Sequence, residues 1–244
     1  MHRHGDLHGT PARLGKDGTG LAMDQQEKLL RKGVVSAARE LDALGLNRGT
    51  SGNVSCRYAD GLLITPSGVP TADLTPEGIV LMGLDGSYPE GTKPSSEWRF
   101  HRDILAARPE VGAVVHAHPV HCTAFAICGR QIPAVHYMIA AFGGPDVRCA
   151  PYAPYGTEAL SRLALEALED RSCCLLANHG MIAAGADLRR ALWLAQELET
   201  LCQQYAVALQ VGAPQILSDA EIAETVERFR GYGLNAGNPA KSAT

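Results

Sequence analysis

The chain has 244 residues, 45% of them hydrophobic and 20% charged, which is the composition of an ordinary globular protein. Its formal net charge of -4 offers no basic field to a phosphate backbone, and no apolar run approaches the roughly 18 residues of a membrane span, so we expect neither nucleic acid nor membrane as a partner. The seven cysteines are odd in number and contain no Cys-x-x-Cys motif, which favours a reducing, cytoplasmic location over a disulfide framework.

Hydrophobic periodicity predicts one folded α/β domain, residues 21–234, between two unstructured ends. Residues 1–20 are rich in Gly, His and charge, so we expect a disordered leader, and we expect a flexible tail at 235–244. A stripe of Leu, Val and Ala predicts a first helix from Asp24, ended by Gly45. Strands are then predicted at 53–58, 61–65 and 79–82, followed by a helix from Pro94 to Pro109. The next predicted elements are a strand ending at His118, a helix at 119–127, a short apolar run at 135–139 and a helix at 157–168. A strand leading to His179, which Met181–Ala184 can extend, precedes two closing helices, the second capped by Ser218.

Three histidines lie at the ends of two predicted strands. His116 and His118 follow a buried apolar run, and residues i and i+2 of a strand point to the same face, so both imidazoles can reach one point. His179 follows the apolar run 173–177 and can supply a third imidazole. Three imidazoles with a fourth position open is the ligand count of a catalytic zinc, whereas a structural zinc normally has four protein ligands. The sequence therefore predicts a catalytic zinc site.

Three loops of small residues precede the histidines and have the composition of phosphate-binding loops. Glycine allows close backbone approach, Asn and Ser supply hydrogen bonds, and a helix beginning at Ser95 or Ser96 would offer free N–H groups. Each loop alone is equally typical of an ordinary turn or helix cap. Glu97, in the first turn of that helix, would either complement the helix dipole or act as an acid/base group beside the metal. The loops comprise residues 49–53, 65–68 and 95–96.

Taken together, these segments resemble the class II aldolase family, and most specifically its fuculose phosphate aldolase branch. The resemblance extends from about Leu44 to Gly233, nearly the whole predicted domain. The long runs that follow Glu97 and surround Tyr137 are more specific to that branch than Ser-Ser-Glu or His-x-His. The segments that carry the resemblance are residues 45–50, 52–55, 94–101, 113–116, 132–141, 149–153, 191–195 and 217–219.

The resemblance implies a fold, an assembly and a role for each site residue. The implied fold is a central, mostly antiparallel β-sheet flanked by helices, in a homotetramer with four-fold symmetry and sites between subunits. Glu97 is implied as the catalytic acid/base, with Tyr137 acting as a proton donor in a neighbouring subunit's site. The remaining implied roles are one Zn²⁺ per subunit on His116, His118 and His179, the substrate phosphate on Gly52, Asn53, Ser67, Gly68, Ser95 and Ser96, and the aldehyde pocket on Tyr155, Phe229 and Tyr232. Tyr155 departs from the pattern, because an aldolase of this family has Phe there.

The implied reaction is reversible cleavage of a 1-phosphorylated ketose, L-fuculose 1-phosphate in the first instance, to dihydroxyacetone phosphate and L-lactaldehyde. Ketose phosphates with a 5-deoxy or 5-methylthio terminus are alternative substrates. A pentulose 5-phosphate 4-epimerase on the same scaffold is an alternative enzyme, although that branch typically has Asp at the position of Glu97. A dehydratase and a decarboxylase share the zinc scaffold as well. The non-enzyme alternative, a scaffold domain like the adducin head, should lack the three histidines.

Overall fold

The computed structural model describes residues 23–229. The predicted leader, the predicted tail and Tyr232 lie outside these residues. The helices are α1 (Gln25–Ala43), α2 (Trp98–Ala107), α3 (Val120–Ile127), α4 (Glu158–Ala167), α5 (Leu188–Val211) and α6 (Asp219–Phe229). The strands are β1 (Asn53–Tyr58), β2 (Gly61–Ile64), β3 (Val80–Gly83), β4 (Ala113–Ala117), β5 (Cys149–Ala150), β6 (Cys173–Leu176) and β7 (Gly180–Gly185).

The strands form one sheet in the order β3-β2-β1-β4-β7-β6-β5. All neighbours are antiparallel except β5 and β6. This confirms the expected α/β fold with a mostly antiparallel central sheet. β4 is the middle strand and is buried along its whole length. His116 therefore lies in the innermost strand of the fold, and His118 follows directly after the end of that strand.

Helices cover both faces of the sheet. Because the side chains of a strand alternate between its two faces, one strand contributes residues to the cores on both sides. In β4, Val115 joins the core cluster that includes residues of α1, α3 and α5, whereas Val114 joins the cluster that includes residues of α2 and α4. The same alternation holds for Ala183 and Ile182 of β7. The three layers hold β4 and β7 rigidly on both sides.

Four local features differ from the sequence prediction or refine it. The helix expected to open at Ser95 or Ser96 begins at Trp98, and the run at 135–139 leads into a 3-10 helix, Tyr137–Phe142. His179 does not end a strand but lies in the turn of the β6–β7 hairpin. Ser218 does cap α6, because its hydroxyl accepts a hydrogen bond from the Glu221 N–H while the Glu221 carboxylate accepts one from the Ser218 N–H.

Across residues 23–229, we find no helix with the length and apolar character required to cross a lipid bilayer.

Candidate active site

Three histidines and one carboxylate converge at the end of β4. One ligand atom from each of His116, His118, His179 and Glu97 lies within 4.8 Å of the others. The Nε2 atoms of His116 and His118 are 2.8 Å apart. Oε2 of Glu97 lies 3.1 Å from Nε2 of His116, and Oε1 of Glu97 lies 3.1 Å from Nε2 of His179. The structure thus brings together all three predicted metal ligands and the predicted acid/base group.

The fold positions each histidine by a backbone constraint. His116 is paired across the sheet with Ile182, and its Nδ1–H donates to the carbonyl of Met181 at 2.9 Å. Because this hydrogen bond places a proton on Nδ1, the neutral ring has a free lone pair on Nε2. A histidine that binds a metal through Nε2 requires this tautomer. His118 follows the end of β4, where its backbone N–H donates to Oδ1 of Asn47 at 3.1 Å. Residue spacing did not reveal this contact, which joins Asn47, just before the loop at residues 49–53, to the segment that follows β4.

Glu97 is placed differently from the expectation. The prediction that Ser95 or Ser96 caps the helix with Glu97 in its first turn is wrong. Glu97 itself occupies the N-cap position of α2, and its side chain makes no capping hydrogen bond. The Ser95 hydroxyl instead accepts from the Glu97 N–H at 3.3 Å. The helix begins only at Trp98, and the Glu97 side chain turns inward to the histidines and is 7% exposed. Interaction with the helix dipole therefore does not account for its position.

The pKa shifts in the cluster follow from burial and from the close approach of its four groups. Burial lowers the pKa of His118 to about 3, and the charges of His116 and His179 act in the same direction, so this imidazole is neutral at neutral pH. Burial raises the pKa of Glu97, but His116 and His179 outweigh burial and hold it well below its usual range. Glu97 is therefore a carboxylate. Burial lowers the pKa of His116, but the neighbouring Glu97 charge raises it overall.

The donor set fits a zinc-like ion. Three imidazole nitrogens and one carboxylate oxygen are ligands that zinc uses in proteins. Oε1 of Glu97 is buried and lies 3.1 Å from Nε2 of His179 without the alignment of a hydrogen bond. Such an orphaned buried oxygen is expected where a cation completes the arrangement. The histidine count predicted an open fourth position, whereas a Glu97 oxygen lies within 4.8 Å of the three imidazole nitrogens and could serve as a fourth ligand.

The three small-residue loops lie side by side. The Ser67 N–H donates to the carbonyl of Lys93, and the Ser95 N–H donates to the carbonyl of Thr65, both at 3.0 Å. The Thr65 hydroxyl in turn accepts from the N–H of Val54 at 3.2 Å. Among the predicted phosphate ligands, Ser96 and Gly68 are exposed, Ser67 and Gly52 are half-buried, and Ser95 and Asn53 are buried. The backbone pairing thus places residues 52–53, 67–68 and 95–96 around one region.

Two loop glycines are required by the backbone. Gly52 and Gly68 have φ angles of +76° and +72°, in the left-handed region that favours glycine. A Cβ atom on Gly52 would also overlap the side chain of Asn47. Both loops therefore depend on glycine for their shape, whatever they bind.

Asn53 holds the Glu97 carboxylate by a hydrogen bond. Its Nδ2 donates to Oε2 of Glu97 at 3.0 Å, and its Oδ1 lies against His101. Since an amide nitrogen carries two hydrogens, one N–H of the Asn53 side chain remains for another partner. The predicted phosphate role of Asn53 is therefore joined by a role in orienting Glu97, which residue spacing could not reveal.

Exposed aromatic side chains border the metal-ligand cluster. A cleft of about 350 Å³ is lined by Ser96, Glu97, His118, Tyr152, Ala153, Tyr155, Asn178 and His179. Tyr155, which the resemblance assigns to the aldehyde pocket, lines this cleft and is 70% exposed. Tyr152 and Asn178 line the same cleft and were not predicted as site residues. Asn178 has a φ of +56°, a conformation that asparagine tolerates better than most residues, so Asn-His-Gly was a usable turn signal.

Tyr137 and Phe229 form a separate aromatic pair. Their rings stack with centroids 6.4 Å apart, and neither lines the cleft beside Glu97. Tyr137 is 52% exposed. A single chain therefore does not bring these two predicted site residues to its own ligand cluster, and Tyr232 lies beyond residue 229.

Comparisons with known proteins agree with this geometry. A family profile described as Class II Aldolase and Adducin N-terminal domain matches residues 32–206. The chain is 53% identical over 214 residues to a 5-methylthioribulose-1-phosphate/5-deoxyribulose-1-phosphate aldolase of Rhodospirillum rubrum. The matched residues are 88% of this chain and 97% of that relative. It is 50% identical over 211 residues to an L-fuculose phosphate aldolase of Escherichia coli K12, with coverages of 86% and 98%. A solved structure of an L-fuculose 1-phosphate aldolase superposes with a TM-score of 0.80 at 36% identity, covering 82% of this chain and 96% of that chain.

Proposed function

Because the chain belongs to the class II aldolase and adducin N-terminal domain family, we propose that it is a zinc-dependent aldolase. Its substrate would be a 1-phosphorylated ketose, L-fuculose 1-phosphate first, cleaved to dihydroxyacetone phosphate and L-lactaldehyde. The observation that carries this proposal is the convergence of His116, His118 and His179 on the ionised, buried carboxylate of Glu97. A scaffold domain has no use for a metal-ligating cluster of this kind, so the enzyme is favoured over the adducin-head alternative.

The phosphate end of the substrate would lie among the three paired loops. Gly52, Gly68 and the backbone around Ser96 allow close approach of phosphate oxygens, and the Ser67 and Ser96 hydroxyls are accessible for hydrogen bonds. Binding energy from this non-reacting end would orient the carbon skeleton. The loops therefore serve positioning and leave the bond cleavage to the cluster.

Bond cleavage between C3 and C4 places negative charge on the substrate oxygens as the enediolate forms. The divalent ion held by the three histidines, which we propose is zinc, would supply Lewis-acid stabilisation of that charge. Glu97 would move the proton of the enediolate, since its carboxylate is ionised and is held in place by Asn53. No lysine is assigned to the site, which agrees with a metal aldolase.

The C4 oxygen would exchange its proton with Tyr137 of a neighbouring subunit. Tyr137 is half exposed and absent from the cleft of its own chain, so it needs a second subunit to reach a ligand cluster. We therefore propose a four-fold homotetramer with active sites between subunits. Tyr155 of the same chain would contact the aldehyde end, and Phe229, which stacks on Tyr137, would do so from the neighbouring subunit together with Tyr232.

A second substrate class is favoured by the Rhodospirillum rubrum relative, whose name gives 5-methylthioribulose 1-phosphate and 5-deoxyribulose 1-phosphate. These ketoses share the phosphate and enediolate end with L-fuculose 1-phosphate, so the same cluster can act on all of them. The 4-epimerase branch typically has Asp at the position of Glu97, so Glu97 favours an aldolase over a 4-epimerase.

All seven cysteines are free thiols, which supports the proposed cytoplasmic location.

A coupled assay for dihydroxyacetone phosphate tests the proposal directly. The assay compares kcat/KM for L-fuculose 1-phosphate, 5-deoxyribulose 1-phosphate and 5-methylthioribulose 1-phosphate. We expect dihydroxyacetone phosphate to be released from all three ketose phosphates, with the highest kcat/KM for L-fuculose 1-phosphate. Preference for either ribulose derivative would move the physiological assignment to the second class. No release from any of them would contradict the aldolase proposal.

A further inference from the structure

A chain of buried hydrogen bonds leads from the sheet to Glu97. The Ser55 hydroxyl lies 2.7 Å from Nδ1 of His101, Nε2 of His101 lies against Oδ1 of Asn53, and Nδ2 of Asn53 lies 3.0 Å from Oε2 of Glu97. Ser55 and His101 are both 0% exposed. Neither residue reaches the cleft that borders the ligand cluster. We call these four residues the relay.

The Asn53 amide determines the direction of every hydrogen bond in the relay. Its Nδ2, which can only donate, faces Oε2 of Glu97, and its Oδ1, which can only accept, faces His101. His101 must then donate from Nε2, which leaves Nδ1 as an acceptor. The Ser55 hydroxyl, a donor that can rotate, satisfies Nδ1. A flipped Asn53 amide would place oxygen against oxygen at Glu97 and nitrogen against Nε2–H of His101.

His101 is suited to this fixed role because it does not ionise at neutral pH. Burial lowers its pKa to about 3, and the charge of His116 acts in the same direction. A buried neutral imidazole with one donor and one acceptor has a definite polarity when both ring nitrogens are engaged. The Phe100 ring stacks on the imidazole at 4.8 Å, which also holds its plane.

We propose that His101 and Ser55 are positioning residues that lock the Asn53 amide in the orientation that directs the Glu97 carboxylate. This inference rests on the proposed function, since it assigns a second layer of residues to the acid/base group. It assigns no contact with substrate to either residue. It predicts that the polarity of the His101 ring, more than its volume, supports turnover.

Two substitutions of His101 separate polarity from volume. His101→Gln keeps an N–H near the position of Nε2, whereas His101→Leu fills the space without a donor. We expect His101→Leu to lower kcat about 10- to 100-fold, the usual effect of losing a partner that orients a site residue, with little change in KM. His101→Gln should recover most of that loss. Equal losses in both variants, or a change confined to KM, would overturn the proposal.

Ser161→Ala is a matched control for Ser55→Ala. Both serines are buried, and each hydroxyl makes a short hydrogen bond, that of Ser161 being 2.6 Å to Asp103. Thermal unfolding should show similar destabilisation, but only Ser55→Ala should lower kcat. In an Asn53→Ala background, His101→Leu should cause no further loss of kcat, because its effect passes through Asn53. Additive losses would contradict the relay.

Nitrogen-15 NMR of histidine-labelled protein tests the relay without using aldolase activity. The His101 ring signals, assigned by their disappearance in His101→Gln, should show a protonated Nε2 and a bare Nδ1 at neutral pH. A protonated Nδ1 would overturn the relay even in an active aldolase. The expected tautomer in a protein that releases no dihydroxyacetone phosphate would instead contradict the proposed function and leave the relay geometry standing.

Discussion

The two halves of the site differ in how they are built. The half that contains the metal-ligand cluster includes Glu97, His116 and Asn53, which are all less than 10% exposed, and the half-buried His118 and His179. Glu97, His116 and Asn53 have hydrogen-bond partners in the same chain. The aromatic half consists of Tyr137, Tyr152 and Tyr155, each more than half exposed. In the proposed aldolase, the core thus preorganises the groups for the common reacting end of a ketose phosphate. The groups proposed for the variable aldehyde end lie on the surface, where the proposed neighbouring subunit or the substrate would cover them.

Glu97→Gln tests the buried half most severely. The amide cannot serve as a base, so we expect kcat to fall by about 10³-fold, within the range of a lost acid/base group. Measured metal content should stay near that of the wild type, since the three histidines remain. Glu27→Gln, which also alters a buried glutamate that pairs with an arginine, should lower stability but not kcat. Wild-type turnover in Glu97→Gln would remove this residue from the chemistry.

Tyr137→Phe tests whether the exposed half belongs to a neighbour's site. We expect kcat to fall about 10²-fold, while Tyr88→Phe, at another exposed tyrosine, should have no effect. Refolding equal amounts of Tyr137→Phe and Glu97→Gln chains together should restore about one quarter of wild-type activity, because a random tetramer then contains some sites with both wild-type groups. No recovery on mixing, or a fully active monomer, would contradict a site shared between subunits.

The stability of the buried half should depend on pH through His101. Unfolded His101 takes up a proton below pH 6.5, whereas folded His101 stays neutral down to about pH 3. Stability that is present above pH 6.5 is therefore lost as the pH falls. Between these values, the free energy of unfolding of the wild type should fall more steeply than that of His101→Gln, by about 1.4 kcal/mol per pH unit. Denaturant unfolding in the presence of chelator measures both curves, and parallel curves would contradict a buried neutral His101.

Tyr155→Phe should produce the smallest effect and act only on the exposed half. Removing one exposed hydroxyl should change the ratio of kcat/KM between L-fuculose 1-phosphate and 5-methylthioribulose 1-phosphate by less than about 10-fold. The two substrates share their phosphate end, so the ratio serves as its own control for general damage. An equal loss of kcat/KM on both substrates would place Tyr155 in the common chemistry instead.

The sequence predicted the buried half better than the exposed half. Strand periodicity placed His116 and His118 on one face, because that relation is local and follows from the backbone. The position of Glu97 depends on where α2 begins, and the Asn53 contact joins residues 44 positions apart, so spacing alone could not determine either. The role proposed for His101 depends on its contacts with Asn53 and Ser55, which the sequence alone does not reveal. The role proposed for Tyr137 depends on subunit packing, which a single chain does not determine.

Metal removal and restoration test the central claim most directly. We predict one divalent ion per chain by elemental analysis, loss of ketose phosphate cleavage after the ion is removed with a chelator, and recovery on addition of one equivalent of Zn²⁺. His116→Ala should fail to recover under the same treatment. Full turnover by protein shown to contain no divalent metal would contradict the account.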